Sequence, residues 1–182
     1  MPIDAKKLIF IDESGANLQM ASTYGRAKGS NRVKMPVPFN RGPQFSMIGA
    51  VSTEKVEAAL YGEWATDGDI FTTFIEQQLV LQLNTEHLVI MDNVKFHKQA
   101  NIAEIIALTG AKIVFLPPYS PDFSPIEKMW SKIKNILRKL SPRTLEEFQN
   151  SIQIAFKEIR KIDLVAWFKC CGYTAKPDRI PL

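Results

Sequence analysis

The chain has 182 residues, of which 46% are apolar and 23% charged, and its net charge is +4. This is the composition of an ordinary globular domain, and a chain of this length folds without disulfide or metal staples. No apolar run approaches the ~18 residues of a membrane span, and the N-terminus lacks a signal-peptide pattern. The only two cysteines, Cys170 and Cys171, are adjacent. This excludes a disulfide framework or a CxxC metal site and indicates a reducing cytosol.

The N-terminal half predicts three strands and one helix. The apolar run Leu8–Asp12 is typical of a strand buried on both faces. A basic stretch with Gly, Ser and Pro follows, and we interpret residues 22–44 as a long loop or arm. Phe45–Ser52 and Val56–Trp64 predict two strands joined by a short polar turn. Apolar residues at helical spacing predict a helix over Asp69–Leu83.

The middle of the chain predicts a strand–helix–strand unit. His87–Asp92 is a second apolar run that ends in an aspartate, and Lys112–Leu116 is a third. Between them Lys98–Leu108 reads as a helix, with Gly110 just past its end, where glycine commonly terminates helices. The order implies two parallel strands with a right-handed crossover.

The C-terminal third predicts three helices. Ser124 as N-cap, Pro125 at the first position and Glu127 at the third form a capping-box pattern that starts a helix over Pro125–Leu140. A second capping box starts a helix after Thr144, and a short helix follows over Asp163–Cys171. Strands followed by alternating helices and strands, and then helices, predict an α/β fold with a mixed central sheet flanked by helices.

Three carboxylates are placed where a metal site could form. Asp12 and Asp92 close two buried strands, and Glu127 lies in the first turn of a helix that begins shortly after the next strand. If the strands are neighbours, these oxygens converge into a site that suits Mg²⁺ or Mn²⁺. Each residue has a structural alternative, as a turn former, helix cap or capping-box partner. Glu13 and Asp122 are rival ligands.

Three motifs carry a resemblance to a known family. They are LPPYSPDFSPIEKMWSKIK (Leu116–Lys134), MDNVKFHK (Met91–Lys98) and IDESG (Ile11–Gly15). Together they closely resemble the catalytic domain of bacterial insertion-sequence transposases of the mariner-like superfamily, which are DDE enzymes. The longest motif is the most specific, although Ser124 stands where the family more often has asparagine.

The resemblance implies a ribonuclease-H-like fold, with Asp12, Asp92 and Glu127 as catalytic residues and metal ligands. The 34 residues between Asp92 and Glu127 match the interval typical of this superfamily. The triad would hold two Mg²⁺ (or Mn²⁺) ions for phosphodiester hydrolysis at the transposon ends. The freed 3′-OH would then attack target DNA, typically at a TA step. Such chemistry needs positioning and charge neutralisation and no covalent intermediate.

Two basic tracts are candidate DNA contacts. Residues 22–41 carry five basic residues and no acidic one, and residues 128–145 carry six basic residues and no acidic one. Such tracts suit a polyanion, although a solvated loop and a solvated helix face are the plainer interpretations. The DNA-binding candidates are Lys128, Lys132, Lys134, Arg138, Lys139, Arg26, Lys28 and Arg32.

Four further side chains are secondary candidates. Asn93 and His97 follow Asp92 closely and are possible accessory residues, with a turn and a helix anchor as their structural alternatives. Trp130 and Trp167 occupy apolar helical positions, so we expect core packing more than base stacking.

We expect residues 1–182 to be a single catalytic domain, with no N-terminal helix-turn-helix DNA-binding region before the first strand. The expected partners are DNA, both transposon ends and target, a second copy of the chain in the active complex, and an upstream-encoded helix-turn-helix part, with no membrane. The expected location is the cytoplasm, beside the nucleoid. Two alternatives remain: a stand-alone ribonuclease-H-like nuclease, and an inactive remnant that only binds DNA or dimerises.

Overall fold

A five-stranded sheet forms the centre of the molecule, which the computed structural model describes over residues 4–22, 24–93, 100–118 and 120–174. The strands are β1 (Leu8–Asn17), β2 (Gln44–Val51), β3 (Val56–Gly62), β4 (Leu88–Met91) and β5 (Lys112–Phe115). Their order across the sheet is β3-β2-β1-β4-β5. The β1–β2 and β2–β3 pairs are antiparallel, whereas β1–β4 and β4–β5 are parallel. The predicted mixed sheet and its parallel strand–helix–strand unit are confirmed.

Helices pack on both faces of this sheet. They are α1 (Gly68–Phe74), α2 (Ala100–Leu108), α3 (Pro125–Leu140), α4 (Leu145–Lys157) and α5 (Lys161–Cys170). A π-helical segment (Ile75–Leu79) and a 3-10 turn (Val80–Gln82) prolong α1, so the predicted helix there is present with a changing pitch. Residues 98 and 99, the predicted start of α2, lie outside the described residues. No helix in the described ranges is both long and apolar enough to cross a membrane.

The last helix starts two residues earlier than predicted. Asp163 is the third residue of α5, and its carboxylate accepts a hydrogen bond from the backbone N–H of Arg160 at 3.0 Å. An acidic side chain in the first turn satisfies an otherwise unpaired N–H and suits the helix dipole.

Alternating side chains of the sheet belong to two separate apolar clusters, one on each face. In β1, Leu8 and Phe10 belong to the cluster formed with α3, α4 and α5. Ile9 and Ile11 belong to the opposite cluster, formed with α1 and α2. Successive strand residues point to opposite faces, so the continuous apolar run Leu8–Ile11 supplies both. The prediction that this strand is buried on both faces is confirmed.

The first strand extends beyond its predicted end. Asp12 does not close β1, because β1 continues to Asn17 through antiparallel pairing with β2, in which Asp12 lies opposite Gly49. The parallel pairing of β1 with β4 ends earlier, at Phe10 opposite Ile90. Asp12 therefore lies inside a strand and just beyond the end of the parallel ladder, which still places it at the edge where β4 ends.

A long arm, residues 18–43, joins β1 to β2. Its described residues carry no helix or strand, and most are exposed. The guanidinium group of Arg143 joins the start of the arm to its later part, because it donates to the carbonyl oxygens of Leu18 (2.9 Å), Met20 (3.2 Å) and Pro36 (3.2 Å). Arg143 thus fixes the base of the arm against the segment between α3 and α4.

Candidate active site

The three predicted carboxylates line one open cleft of about 400 Å³. Asp12 comes from β1, Asp92 directly follows β4, and Glu127 lies in the first turn of α3. The cleft is completed by Ile11, Asn93, Leu116, Pro117, Pro118, Ser120, Pro121 and Ser124. The fold therefore brings together residues that are up to 115 positions apart in the chain.

Two local features place the carboxylates on this cleft. The backbone N–H of Leu116 donates to the carbonyl of Met91 at 2.8 Å, which continues the β4–β5 pairing up to Asp92. The proline-rich loop then turns through a 3-10 segment, Pro121–Phe123, directly into α3. Proline suits the first position of a helix because it lacks the N–H that would have no partner there.

The predicted capping box at the start of α3 is wrong. Ser124 is the N-cap, but its side chain makes no capping hydrogen bond. The backbone N–H of Ser124, which the Glu127 carboxylate would accept from in a capping box, already donates to the carbonyl of Pro121 at 3.0 Å. The Glu127 side chain is exposed and lines the cleft instead. The corresponding box at the start of α4, between Thr144 and Glu147, is present.

Asp12 has strongly perturbed electrostatics. Burial raises its pKa to about 8, and the negative charges of Glu127, Glu13 and Asp92 add to the effect. Its Oδ2 accepts a hydrogen bond from the indole N–H of Trp130 at 3.1 Å. Among the described residues no lysine or arginine forms an ion pair with Asp12. Burial and the neighbouring negative charges therefore both favour the protonated form of the Asp12 carboxyl group.

The donors of the cleft suit a hard divalent cation. They are carboxylate oxygens, the ligands that Mg²⁺ and Mn²⁺ prefer, and a cation would relieve the repulsion that raises the Asp12 pKa. In the described ranges, no group of three or more His, Cys, Asp or Glu side chains is arranged to hold a metal ion as it stands. A bound cation would have to draw the carboxylates of the cleft closer together.

Comparison with known proteins identifies the family of the chain. Residues 7–149 match the family model described as DDE superfamily endonuclease. The chain belongs to this family. No curated protein matches the chain significantly.

Solved structures similar to this DDE endonuclease share its fold. One is a pre-cleavage Mos1 transpososome (TM-score 0.70, 12% identity), matched over 94% of this chain and 57% of that chain. Another is the Mos1 strand transfer complex (TM-score 0.70, 12% identity; 96% and 56%). A third is the Mos1 transposase catalytic domain with raltegravir and Mg (TM-score 0.61, 12% identity; 94% and 85%). The predicted ribonuclease-H-like fold is confirmed, and the chain spans a little over half the length of the full Mos1 chains.

The basic residues of the DDE endonuclease fall into different settings. Lys132 is half-buried, and its ammonium group donates to the carbonyl of Glu158 (2.7 Å) and to Asp163 (2.6 Å), which ties α3 to the end of α4 and to α5. Lys128 and Lys139 line a groove beside Trp167. The remaining candidates are Lys134 and Arg138 on α3, both half-buried, and the exposed Arg26, Lys28 and Arg32 of the arm.

Only one of the two accessory candidates lies among the described residues. Asn93 lines the cleft beside Asp92. His97 lies outside the described residues.

Trp130 is the site residue whose role sequence reasoning missed. It is buried, as predicted, and partly buried Trp167 packs against the same cluster. The apolar spacing predicts core packing more than base stacking for Trp130, and neither role includes a contact with Asp12. Trp130 follows Glu127 by three positions and so lies one helical turn further along. A tryptophan at that spacing after a cleft carboxylate was the available signal.

Proposed function

We propose that this chain is the catalytic domain of a mariner-like DNA transposase. Its reaction would be metal-dependent phosphodiester hydrolysis at the transposon ends, followed by strand transfer of the 3′-OH into target DNA, typically at TA. The observation that carries the proposal is the meeting of Asp12, Asp92 and Glu127 in one cleft of a DDE endonuclease. The fold likeness to Mos1 transpososome and strand transfer structures supports it.

Asp12, Asp92 and Glu127 are the proposed holders of two Mg²⁺ or Mn²⁺ ions. Bound metal of this kind supplies an activated water and stabilises the leaving oxygen in phosphodiester cleavage. Asp12 would release its proton when the site is loaded, because ligating carboxylates must be deprotonated. Glu127, which lines the cleft, would complete the ligand set, and Asn93, which also lines it, would contact water or DNA. A Mos1 catalytic domain structure containing Mg supports the choice of metal.

The proposed DNA path runs from the cleft along α3 and includes the arm. Lys128, Lys134, Arg138 and Lys139 are the proposed phosphate contacts on α3, with Arg26, Lys28 and Arg32 on the arm. We leave out Lys132 because its ammonium group is already bonded to Glu158 and Asp163. Phosphate contacts release counterions, so DNA affinity should fall steeply with salt.

The active complex would contain more than this chain. We propose a homodimer in which the arm contacts DNA or the second copy, together with a separately encoded helix-turn-helix part that reads the transposon ends. Alone, residues 1–182 would act as a single catalytic domain with weak and unspecific DNA binding, in the cytoplasm beside the nucleoid of a bacterium that carries the insertion sequence.

The test is cleavage and joining of transposon-end DNA in Mg²⁺ or Mn²⁺, with and without the protein encoded just upstream. Asp92→Asn and Glu127→Gln should abolish both reactions and leave the melting temperature within a few degrees of wild type. Glu104→Gln is the matched control, since Glu104 is an exposed carboxylate of α2 that does not line the cleft.

Each outcome separates the proposed function from its alternatives. Full activity of Asp92→Asn or Glu127→Gln would refute the assignment of the triad. Hydrolysis without joining would point to a stand-alone nuclease. DNA binding or dimerisation without any reaction would point to an inactive remnant.

A further inference from the structure

We infer that Trp130 is a positioning residue for the active-site carboxylate of Asp12, in a role that rests on the proposed function. The indole N–H of Trp130 donates to Asp12 Oδ2 at 3.1 Å, across 118 positions of the chain. Trp130 is only 1% exposed. A buried indole N–H needs an acceptor, and it is a donor only. The acceptor here belongs to the cleft.

The helix that carries Glu127 also carries this donor. Glu127 and Trp130 are three residues apart in α3, so they lie on neighbouring turns of one rigid element. Glu127 reaches the cleft, while Trp130 packs in the cluster between the sheet and α3–α5. Helix α3 therefore carries one candidate ligand, Glu127, and contacts a second one, Asp12, through the indole N–H of Trp130.

The sheet provides the space that this contact requires. Gly49 of β2 lies directly opposite Asp12 in the antiparallel ladder. A Cβ atom on Gly49 would come within 2.9 Å of Trp130 Cη2 and 3.2 Å of Trp130 Cζ2. Glycine is thus the residue that lets the indole ring lie against β2 and reach the carboxylate on the neighbouring strand.

The contact matters because a carboxylate on a single bond rotates unless something holds it. A partner that bonds one oxygen of a metal ligand sets the direction of the other, and removing such a partner costs about 10–100-fold in metal affinity. Trp130 does so without adding a positive charge that would compete with a cation. A residue that only filled the core would have no effect on metal binding beyond its effect on stability.

The first measurement follows the indole N–H directly. The chain has three tryptophans, hence three indole ¹H–¹⁵N signals, and the Trp130 signal is identified by its loss in Trp130→Phe. Titration with Mg²⁺ should shift that signal, and leave those of Trp64 and Trp167 in place. No Trp130 shift in a protein shown to bind Mg²⁺ through Asp92 would overturn the inference.

The second measurement is Mn²⁺ affinity, read from the paramagnetic resonance of free Mn²⁺. Trp130→Phe keeps an aromatic ring but loses the donor, and should weaken Mn²⁺ binding about 10–100-fold. Trp167→Phe, at a partly buried ring of the same cluster, is the matched control and should bind as wild type. If Trp130→Phe fails to fold, Trp130→β-(3-benzothienyl)alanine keeps the bicyclic ring with sulfur in place of the N–H, and the same loss is expected.

The outcomes separate this role from the proposed function. If wild type binds Mn²⁺ no better than Asp92→Asn, the proposed metal site fails and the inference fails with it. If Asp92→Asn loses Mn²⁺ while both Trp130 variants bind as wild type, the metal site stands and the role of Trp130 is refuted.

Discussion

The partly buried carboxyl group of Asp12 should make the metal-free protein less stable as the pH rises. Its pKa is raised from 3.8 to about 8, by burial first and then by the charges of Glu127, Glu13 and Asp92. In the unfolded chain the group titrates near its ordinary value. Between pH 4 and 8 the folded protein therefore holds a proton that the unfolded chain has lost, so the free energy of unfolding falls with rising pH.

The size of the effect follows from the shift. One proton corresponds to about 1.4 kcal/mol per pH unit, or roughly 6 kcal/mol over the whole interval between the two pKa values. This is an upper limit, because the exposed Glu127 can turn away and water can enter the cleft. Domains are stable by only about 5–15 kcal/mol. For a domain of this length, 1.4 kcal/mol corresponds to a melting temperature lower by about 3–6 °C.

The assay is urea denaturation in EDTA at pH 5.5, 6.5 and 7.5. Asp12→Asn cannot titrate, so its advantage over wild type should grow by up to about 1.4 kcal/mol with each pH unit. Asp122→Asn, at an exposed residue of the loop before α3, is the control and should change with pH as wild type does. Parallel pH profiles for wild type and Asp12→Asn would refute the reasoning.

Three further substitutions test the surroundings of the site. Asp163→Asn removes the negative charge that pairs with Lys132 at 2.6 Å and should cost about 1.5–3 kcal/mol in urea at pH 7. Lys132 lowers the Asp163 pKa, so the difference from wild type should close as the pH falls from 3.8 through the lowered value, and a constant difference would contradict this. Gly49→Ala forces a methyl group against the Trp130 indole ring and should lower the free energy of unfolding by about 1–3 kcal/mol. Gly15→Ala is the milder control, because its added carbon meets the flexible end of the Gln44 side chain at 3.2 Å. Arg143→Ala releases the base of the arm and should speed limited proteolysis within residues 18–43 several-fold. Arg138→Ala, which loses a hydrogen bond within its own helix, should be cleaved at the wild-type rate, and equal rates for Arg143→Ala and wild type would show that Arg143 does not hold the arm.

Elements with local signals could be predicted from the sequence. The predicted and observed bounds of α3 are both Pro125–Leu140, and the start has a local signal because proline suits the first helical position. In the structure the helix ends just before Ser141, which adopts a left-handed conformation (φ 49°). Gly110, with φ 78°, ends the turn after α2 as expected. Such signals lie within a few residues of the boundary they set.

Features that depend on distant partners could not be predicted in this way. The extension of β1 to Asn17 has no apolar pattern of its own and exists because β2, almost thirty residues later, pairs with it. The capping box at Ser124 failed because a preceding turn had already engaged the N–H that it needs. The first difference comes from a distant strand, and the second from a hydrogen bond to Pro121, only three residues before Ser124.

The candidate site also combines features that could be predicted from the sequence with features that could not. The residue types and spacing of the motifs singled out three carboxylates that line one cleft. Their meeting depends on β1 lying next to β4, a strand order that no local pattern encodes. The second role of Trp130 was hidden for the same reason. Its position on α3 is that of a core residue, and its acceptor lies across the sheet interface in β1.

The acidic cleft is assembled by packing and not by attraction between its members. The ionised form of Asp12 is disfavoured by burial and repelled by Glu127, Glu13 and Asp92. Its hydrogen-bond partners, the Trp130 indole and the Glu13 backbone, are neutral. The apolar clusters on the two faces of the sheet must therefore provide the free energy that holds these carboxylates near one another. This is the pattern expected where stability is given up for function. The same repulsion that destabilises the metal-free protein at neutral pH favours a bound divalent cation, so the pH dependence of stability and the affinity for metal should change together when Asp12 is replaced.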